Sequence, residues 1–311
     1  MNAVFMGTPE FAVPCLEAML AQGHQVKAVV TQPDRPKGRG KQLAMSPVKE
    51  AALKSGIEVF QPENVKSPEF VEKLREMAPD VIVVVAFGQI LSKDILDIPK
   101  YGCINVHASL LPKYRGAAPI NWVIINGENE TGITTMLMDE GLDTGDMLIK
   151  ESLQIGENET ASELHDRLSK LGAAVLGNTL AKLEEGSLTR EKQSDAESSY
   201  APIMKKTLGE IAWSKSAREI FNLVRGTFPW PGAFTTLDGM VMKVLRCRFE
   251  SESQEEASAG EILDVSKTGI RVKAAAGVLV IEEIQMPGKK KMSVEEYLRG
   301  NSIQKGAILG A

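Results

Sequence analysis

Two polar side chains stand near the end of an apolar stretch in the segment Cys103–Pro112. If the stretch is a strand, Asn105 and His107 share one face, because side chains two residues apart point the same way. The asparagine amide can donate to a developing oxyanion, and the imidazole can carry a proton. A purely structural role is also open, in which both side chains only satisfy loop backbone at the strand end.

A second polar segment follows the predicted strand Gly132–Met138 and contains Asp143. Gly141 and Gly145 permit a tight loop that can point this carboxylate inward. Ligands of parallel sheets bind outside the carboxyl ends of the strands, so we expect Asp143 to meet Asn105 and His107 at that edge. The carboxylate would then orient the imidazole and stabilise its charged form, an arrangement that fits acyl transfer.

Other routes to group transfer have little support in the sequence. A Gly-x-Ser-x-Gly motif is absent, and Cys103 falls inside a predicted strand, where burial is expected rather than reactivity. The phosphate-loop and dinucleotide-binding patterns are missing as well. Direct transfer without a covalent enzyme intermediate is therefore favoured.

Alternating strands and helices are predicted to position these residues. Thr8-Pro9 and Ser46-Pro47 each place a capping hydroxyl before a first-turn proline, so both predict a helix start. The β-branched run within Asp80–Phe87 predicts a strand buried on both faces, as in a parallel sheet covered by helices. A long amphipathic helix is predicted over Ala161–Leu183. The pattern indicates an α/β, doubly wound fold.

The last third of the chain changes to short strands separated by glycines and polar turns, which predicts a small β-barrel. A polar stretch without periodicity precedes it and predicts a linker. We therefore expect a catalytic domain over residues 1–189, a linker over 190–206 and a second domain over 207–311. The predicted strands of the second domain are Ala233–Leu237, Met240–Phe249, Glu261–Val265, Ile270–Ala274 and Val278–Ile284.

Composition narrows the setting in which the protein works. The net charge is −5, but residues 207–311 hold 14 lysines and arginines against 13 acids, a balance of +1, so the second domain is the relatively basic part. Three widely spaced cysteines give neither a disulfide framework nor metal-ligand spacing, which favours a reducing compartment. The first residues do not resemble a signal peptide, and the longest apolar run, Val81–Phe87, is too short to span a bilayer. We expect a cytoplasmic protein with no membrane association.

The loop Thr31–Ser46 is a second candidate for function. It contains two glycines, two prolines and a group of basic residues that includes Lys37, Arg39 and Lys41. From charge alone, a solvated mobile loop and a loop that grips phosphates are equally supported.

These residues resemble the folate-dependent formyltransferase family. The shared motifs fix the chemistry but not the acceptor, since the family includes members that act on small amines and on nucleotide sugars. They are Asn105-x-His107, the following Ser109-Leu110-Leu111-Pro112, and Asp143 within Gly141–Asp146. Further features resemble the bacterial members that formylate initiator methionyl-tRNA, and the likeness runs through both domains. These features are Phe5–Phe11, Thr31–Lys41, Arg115–Ile120 and Trp230-Pro231.

The resemblance implies a Rossmann-like catalytic domain followed by a small OB-like barrel that helps to hold tRNA. It implies that 10-formyltetrahydrofolate is the co-substrate and that initiator methionyl-tRNA is the acceptor, with no metal and a monomeric enzyme. Asn105, His107 and Asp143 would be the catalytic set. The residues implied at the folate are Ser109, Leu110, Leu111, Pro112, Phe87, Gly88, Gln89, Ile90, Leu91, Asp139, Glu140, Gly141 and Leu142. Those expected at the tRNA are Arg39, which matches an arginine of the family's acceptor-stem loop, together with Lys37, Lys41, Lys289, Lys290 and Lys291.

Two rival functions stay open. A formyltransferase with a small or sugar-nucleotide acceptor would require neither the basic loop around Arg39 nor a relatively basic second domain. A non-catalytic RNA-binding module of the same fold would not require Asn105, His107 and Asp143 together.

Overall fold

A computed structural model describes residues 1–37, 42–250 and 256–310, and for Lys37 and Gln42 it describes the backbone alone. The strands are β1 (Asn2–Gly7), β2 (Gln25–Val30), β3 (Arg35–Lys37), β4 (Gln42–Ala44), β5 (Glu58–Phe60), β6 (Val81–Val85), β7 (Cys103–His107), β8 (Glu130–Leu137), β9 (Met147–Gln154), β10 (Ala233–Leu237), β11 (Met240–Glu250), β12 (Ile262–Ser266), β13 (Gly269–Lys273), β14 (Val278–Gln285) and β15 (Met292–Ser293). The helices are α1 (Val13–Ala21), α2 (Pro47–Lys54), α3 (Pro68–Met77), α4 (Lys93–Leu96), α5 (Pro119–Ile125), α6 (Ala161–Glu184), α7 (Ala217–Gly226) and α8 (Val294–Leu298).

The chain forms two compact units. The first comprises residues 1–116, 131–153 and 165–201, and the second comprises residues 117–130, 154–164 and 202–310. The domain bounds expected from sequence, 1–189, 190–206 and 207–311, stay a prediction.

The first unit contains a seven-stranded sheet in the order β5-β2-β1-β6-β7-β8-β9. The five strands from β5 to β7 are parallel, and the chain reverses its direction of travel across the sheet between β1 and β6. Such a switch point leaves a crevice at the carboxyl ends of the two strands. The α/β, Rossmann-like prediction is confirmed for this unit.

One feature of the sheet differs from the parallel arrangement expected from sequence. The strand β8 runs antiparallel to β7, with Leu137 opposite Ile104 and Thr134 opposite His107. Its carboxyl end therefore lies beside the start of β7, at the edge opposite to His107.

Helices cover both faces of this sheet. On one face, α3 contributes Phe70 and Leu74 to a buried cluster that includes Met6, Ile82 and Cys103. The other face is tied to α6 by a hydroxyl pair 2.8 Å apart between Thr135 and Thr179. Thr135 lies opposite Val106 in the sheet, so the alternation along β7 directs Asn105 and His107 away from α6.

Of the two helix starts predicted at Thr8-Pro9 and Ser46-Pro47, the structure contains one. Ser46 caps α2 by accepting the Lys49 N–H at 3.1 Å, as expected. The prediction for Thr8 is wrong, because its hydroxyl donates to the carbonyl of Phe87 at 3.0 Å and a short 3-10 turn, Glu10–Ala12, precedes α1. Thr8 thus ties the loop after β1 to the loop after β6.

The second unit contains a six-stranded antiparallel sheet in the order β10-β11-β14-β13-β12, with β15 paired to β14. Helix α7 begins in a reciprocal capping box between Ser216 and Glu219. Its apolar side, with Ile220 and Phe221, joins a core that includes Ile281. The predicted strands of this region match the observed ones to within a residue or so at each end.

Candidate active site

Asn105 and His107 are two of the last three residues of β7 and share one face of it. His107 is 6% exposed, whereas Asn105 is half-buried. Within the described ranges, the Asn105 amide makes no hydrogen bond to another protein group. Its donor and acceptor are thus available to a ligand at the edge of the sheet.

The imidazole of His107 lies between a carbonyl and a carboxylate. Its Nε2 is 2.9 Å from the carbonyl oxygen of Tyr114. Because a carbonyl only accepts hydrogen bonds, this contact assigns the proton to Nε2 in the neutral ring. The Nδ1 atom, 3.7 Å from Oδ2 of Asp143, is then an acceptor that faces a second acceptor.

Asp143 is held in an unusual backbone conformation by its neighbours. Its φ is +55°, in the left-handed region that aspartate tolerates better than most residues. The backbone N–H of Gly116 donates to its Oδ2 at 2.8 Å. In the same loop, Asp139 accepts from the Gly141 N–H and the Thr144 hydroxyl, which closes the turn that contains Asp143.

The loop after β8 brings Asp143 to His107 by a route that the sequence analysis did not foresee. The carboxyl end of Gly132–Met138 is predicted from the sequence to lie at the same edge as His107, and this prediction is wrong because β8 is antiparallel to β7. Met138 still pairs with Cys103, donating to its carbonyl at 2.8 Å. The residues that follow Met138 must therefore run back along β7 before Asp143 can approach His107.

The segment Ser109–Pro112, predicted to lie against the folate, is firmly built into the unit. Ser109 is fully buried, and its hydroxyl donates to the carbonyl of Lys113 at 2.6 Å. The Thr134 hydroxyl donates to the Ser109 carbonyl and accepts the Leu111 N–H. Leu111 is 1% exposed, whereas Leu110 and Pro112 are half-buried and have side-chain surface left for a ligand.

The other residues predicted at the folate divide between core and surface. Phe87 and Leu91 are buried in the α3 cluster, and Ile90 is 68% exposed. The side chain of Gln89 bonds to the backbone of Pro62 and Val65, which fixes the loop after β5. The remaining predicted residues, all exposed, are Gly88, Asp139, Glu140, Gly141 and Leu142.

A cavity of about 520 Å³ opens at the switch point between β1 and β6. Among the predicted residues it is lined by Phe87 and Gly88. Most of the other lining residues belong to the loop Thr31–Ser46, which the sequence marked as a second candidate for function, and the rest lie near the ends of β1, β6 and the start of α2. Together these residues are Thr8, Pro9, Gln32, Pro33, Arg35, Pro36, Ala44, Met45, Ser46, Pro47 and Ala86.

Only some of the basic residues predicted at the tRNA lie among the residues that the structure describes. Arg39 and Lys41 lie outside the described residues, and Lys37 is described only through its backbone in β3. Lys289, Lys290 and Lys291 are exposed in the turn between β14 and β15, within the second unit.

Cys103 lies two residues before Asn105 but has no nucleophilic character. It is 1% exposed, and burial, with a smaller contribution from Asp97, raises the pKa of its thiol to about 12. Burial as expected from sequence therefore keeps the thiol protonated.

Neither a metal cluster nor a bilayer-spanning helix is found in the part of the chain that the structure describes. No group of three or more His, Cys, Asp or Glu side chains there is arranged to hold an ion. No helix in the same ranges has the length and apolar character needed to cross a membrane.

Comparison with known proteins gives matches over both units. A family model described as formyl transferase matches residues 1–180, and one described as formyl transferase, C-terminal domain, matches residues 203–302. The chain is 59% identical over 310 residues to methionyl-tRNA formyltransferase of Clostridioides difficile, with all of both chains covered. It is 57% identical over 311 residues to the protein of that name from Alkaliphilus oremlandii, again over both full lengths.

Solved structures agree on the fold. An N-formyltransferase from Helicobacter canadensis, in complex with folinic acid and dTDP-3-aminofucose, has a TM-score of 0.70 at 20% identity and covers 92% of this chain and 98% of its own. WlaRD, a sugar 3N-formyl transferase, has a TM-score of 0.69 at 21% identity, with 93% and 99% covered. At this identity the likeness concerns the fold alone. Taken with the full-length relatives and the matches to both domain models, it shows that the chain belongs to the formyl transferase family.

Proposed function

We propose that this protein transfers the formyl group of 10-formyltetrahydrofolate to the α-amine of methionine on initiator methionyl-tRNA. The observation that carries the proposal is the full-length identity of 59% to a methionyl-tRNA formyltransferase, in a chain that keeps His107 beside Asp143. Transfer of this kind supplies the formylated initiator for translation. We propose that the enzyme works in the cytoplasm as a monomer.

The proposed catalytic roles follow from the hydrogen-bonding capacity that remains, since Oδ2 of Asp143 accepts the Gly116 N–H and keeps a further lone pair. With Nε2 committed to Tyr114, the Nδ1 atom of His107 and Oδ2 of Asp143 form a pair of acceptors 3.7 Å apart. A pair of acceptors suits an amine, which brings more than one N–H. The amide of Asn105 supplies a donor on the same strand face for the formyl oxygen.

The reaction then needs no covalent enzyme intermediate. The amine nitrogen attacks the formyl carbon, a C–N bond forms, and the carbonyl electron pair moves to the oxygen facing Asn105. The surplus proton on the attacking nitrogen passes to Nδ1 of His107, directly or through water, and Asp143 stabilises the imidazolium. The electron pair on the oxygen then re-forms the carbonyl as the bond from carbon to N10 breaks, and the imidazolium returns its proton, directly or through water, to N10, so that tetrahydrofolate leaves and His107 is neutral again.

The folate would be held by the three segments named from the sequence, namely Ser109–Pro112, Phe87–Leu91 and Asp139–Leu142. Gly88 supports this assignment, since it lines the cavity at the switch point. Arg35 and Met45, on the two sides of the basic loop, line the same cavity. We therefore propose that the donor and the aminoacyl end of the acceptor meet in this crevice.

The second domain would be an OB-like barrel that holds tRNA. Its antiparallel sheet and the match of residues 203–302 to the family's C-terminal model support this assignment. Lys289, Lys290 and Lys291 are exposed and positively charged, which suits contacts with phosphates. Arg39, Lys37 and Lys41 would contact the acceptor stem.

The deciding experiment offers purified protein 10-formyltetrahydrofolate with one acceptor at a time. Charged initiator tRNA should be formylated, whereas charged elongator methionyl-tRNA, an amino-sugar nucleotide and glycinamide ribonucleotide should react far more slowly. Faster transfer to one of the small acceptors would overturn the proposed acceptor. Folate binding without transfer to any amine would overturn the enzymatic proposal.

A further inference from the structure

The segment Glu191–Ala201, which the sequence analysis assigns to the interdomain linker, packs within the first unit. One side chain in it differs from its neighbours. Gln193 is half-buried, whereas Lys192, Ser194 and Asp195 are exposed. A single half-buried glutamine in a polar, exposed stretch requires hydrogen-bond partners, since an unpaired amide is costly to remove from water.

Both N–H groups of the Gln193 amide point to the loop that carries Asp143. Nε2 donates to the Asp143 carbonyl at 2.8 Å and to the Gly145 carbonyl at 2.7 Å. The amide thus donates to the carbonyls of the two residues that flank Thr144 and uses both of its N–H groups.

The oxygen of the same amide holds the loop on the other side of Asp143. Oε1 accepts the Nε–H of Arg115 at 3.0 Å. The next residue, Gly116, donates its backbone N–H to the Asp143 carboxylate at 2.8 Å. Gln193 therefore joins the two loops that fix Asp143, one through its own backbone and one through the donor to its carboxylate.

The conformation of Asp143 depends on bonds of this kind. Its φ of +55° is unfavourable for a side-chain-bearing residue, so the conformation persists only where the surroundings impose it. Residues 139–142 before it are exposed and bury no apolar side chain that would fix the turn. Besides the two Asp139 hydrogen bonds within the loop, bonds from Gly116 and Gln193 outside it hold the carboxylate beside His107.

We infer that Gln193 is a positioning residue for Asp143. The segment that sets the distance between Asp143 and His107 thus lies between the residues matched by the two family models, 1–180 and 203–302. The inference rests on the proposed function, because it assumes that this pair handles protons during formyl transfer. A displacement of about 1 Å at a catalytic group can cost on the order of 100-fold in rate. Loss of Gln193 should accordingly lower kcat by about 10- to 100-fold.

Two variants separate positioning from general stability. Gln193→Leu removes all three hydrogen bonds at similar volume. Gln193→Glu keeps an acceptor for Arg115 but turns carboxylate oxygens toward two carbonyls, so it should not rescue activity. Lys192→Ala is the matched control, because it changes an exposed neighbour in the same segment.

The measurements are kcat and KM for both substrates, thermal unfolding, and the ring-nitrogen chemical shifts of His107. The chain has only three histidines, so the last signal is readily assigned. We expect kcat to fall in both Gln193 variants, with KM and the unfolding temperature near wild type, and the His107 shifts to move. Wild-type kcat and unchanged His107 shifts in Gln193→Leu would overturn the inference. A wild-type enzyme that fails to formylate methionyl-tRNA would instead refute the proposed function, and the His107 shifts would still test the positioning.

Discussion

The Nδ1 atom of His107 lies 3.7 Å from Oδ2 of Asp143, with the two side chains 7% and 13% exposed. This distance exceeds that of a direct hydrogen bond, yet it allows a single N–H-bearing group to contact both atoms. Since Nε2 contacts the carbonyl of Tyr114, Nδ1 is the nitrogen that faces Asp143. In the mechanism proposed above, this pair receives the proton of the attacking amine.

Replacing either member of the pair should remove turnover while leaving tRNA affinity nearly unchanged. His107→Ala deletes the proton acceptor, and Asp143→Asn keeps the shape, the tolerance for positive φ and an acceptor for Gly116 while removing the charge. Each should lower kcat by about 10²- to 10⁴-fold. Steady-state kinetics and a tRNA-binding assay check this. His165→Ala is the control, since His165 forms a more exposed pair with Asp166 at 2.9 Å, and near-wild-type turnover in His107→Ala would rule out the assigned role.

Gly116→Ala should lower kcat because it displaces the donor to Asp143. Its φ is +109°, and an added Cβ would lie 2.6 Å from the Tyr200 ring and 2.8 Å from the Ala201 carbonyl oxygen. Gly186→Ala is the matched control, with φ +69° and open space around the new atom. Alanine at Gly186 carries the left-handed backbone cost of about 1 kcal/mol, and at Gly116 the cost is larger because a φ of +109° lies outside the small left-handed region. Equal kcat in the two would show that the Gly116 contact does not matter for turnover.

Arg39→Ala should slow formylation of methionyl-tRNA far more than any hydrolysis of the folate alone. The guanidinium is expected to bond to phosphates or base edges of the acceptor, which folate hydrolysis does not need. The salt dependence of tRNA binding should become shallower, because fewer counterions are released. Arg75→Ala serves as control, since Arg75 is exposed in α3 and pairs there with Glu72. Equal slowing of both reactions would mean that Arg39 supports the site and does not select the tRNA.

Lys49 should anchor the start of the basic loop through Asp34. Lys49 Nζ lies 2.6 Å from Asp34 Oδ2 and 2.7 Å from Gln61 Oε1, and Gln61 in turn donates to Asp34 and to the Gln32 carbonyl. Hydrogen bonds from Lys49 and then Gln61 lower the pKa of the Asp34 carboxyl below its usual value. A lowered folded-state pKa means that the network stabilises the fold above the unfolded value of about 3.9 and loses this contribution as the pH falls through the folded value.

Lys49→Met should therefore return the pKa of Asp34 toward the ordinary range and raise KM for tRNA, with Lys49→Arg intermediate. Carboxyl titration by NMR and steady-state kinetics measure the two effects. Lys54→Met, on the same helix α2 but without an ion pair among the described residues, should change neither. An Asp34 titration that is the same in Lys49→Met and wild type would show that Lys49 does not hold the loop.

Local signals in the chain account for most of the elements. The β-branched run at Val81–Val85 forms a strand buried throughout, as its composition predicts. The serine-proline pair at Ser46 starts a helix, but the threonine-proline pair at Thr8 does not, because the Thr8 hydroxyl is turned to donate to the Phe87 carbonyl and to accept the Gln32 N–H. Local propensity cannot anticipate a partner that lies 79 residues away in sequence.

For the site, the sequence by itself determined which residue types are present and that Asn105 and His107 share a strand face, since strand alternation is a local property. Only the tertiary structure decided how Asp143 reaches them. The strand before Asp143 is antiparallel to β7, and strand direction is set by long-range pairing, which leaves no mark in the strand's own residues. The bonds that fix Asp143 come from Gly116 and Gln193, 27 and 50 residues away in sequence. Contacts of that separation form only when the chain folds, and they bring Asp143 to within 3.7 Å of His107.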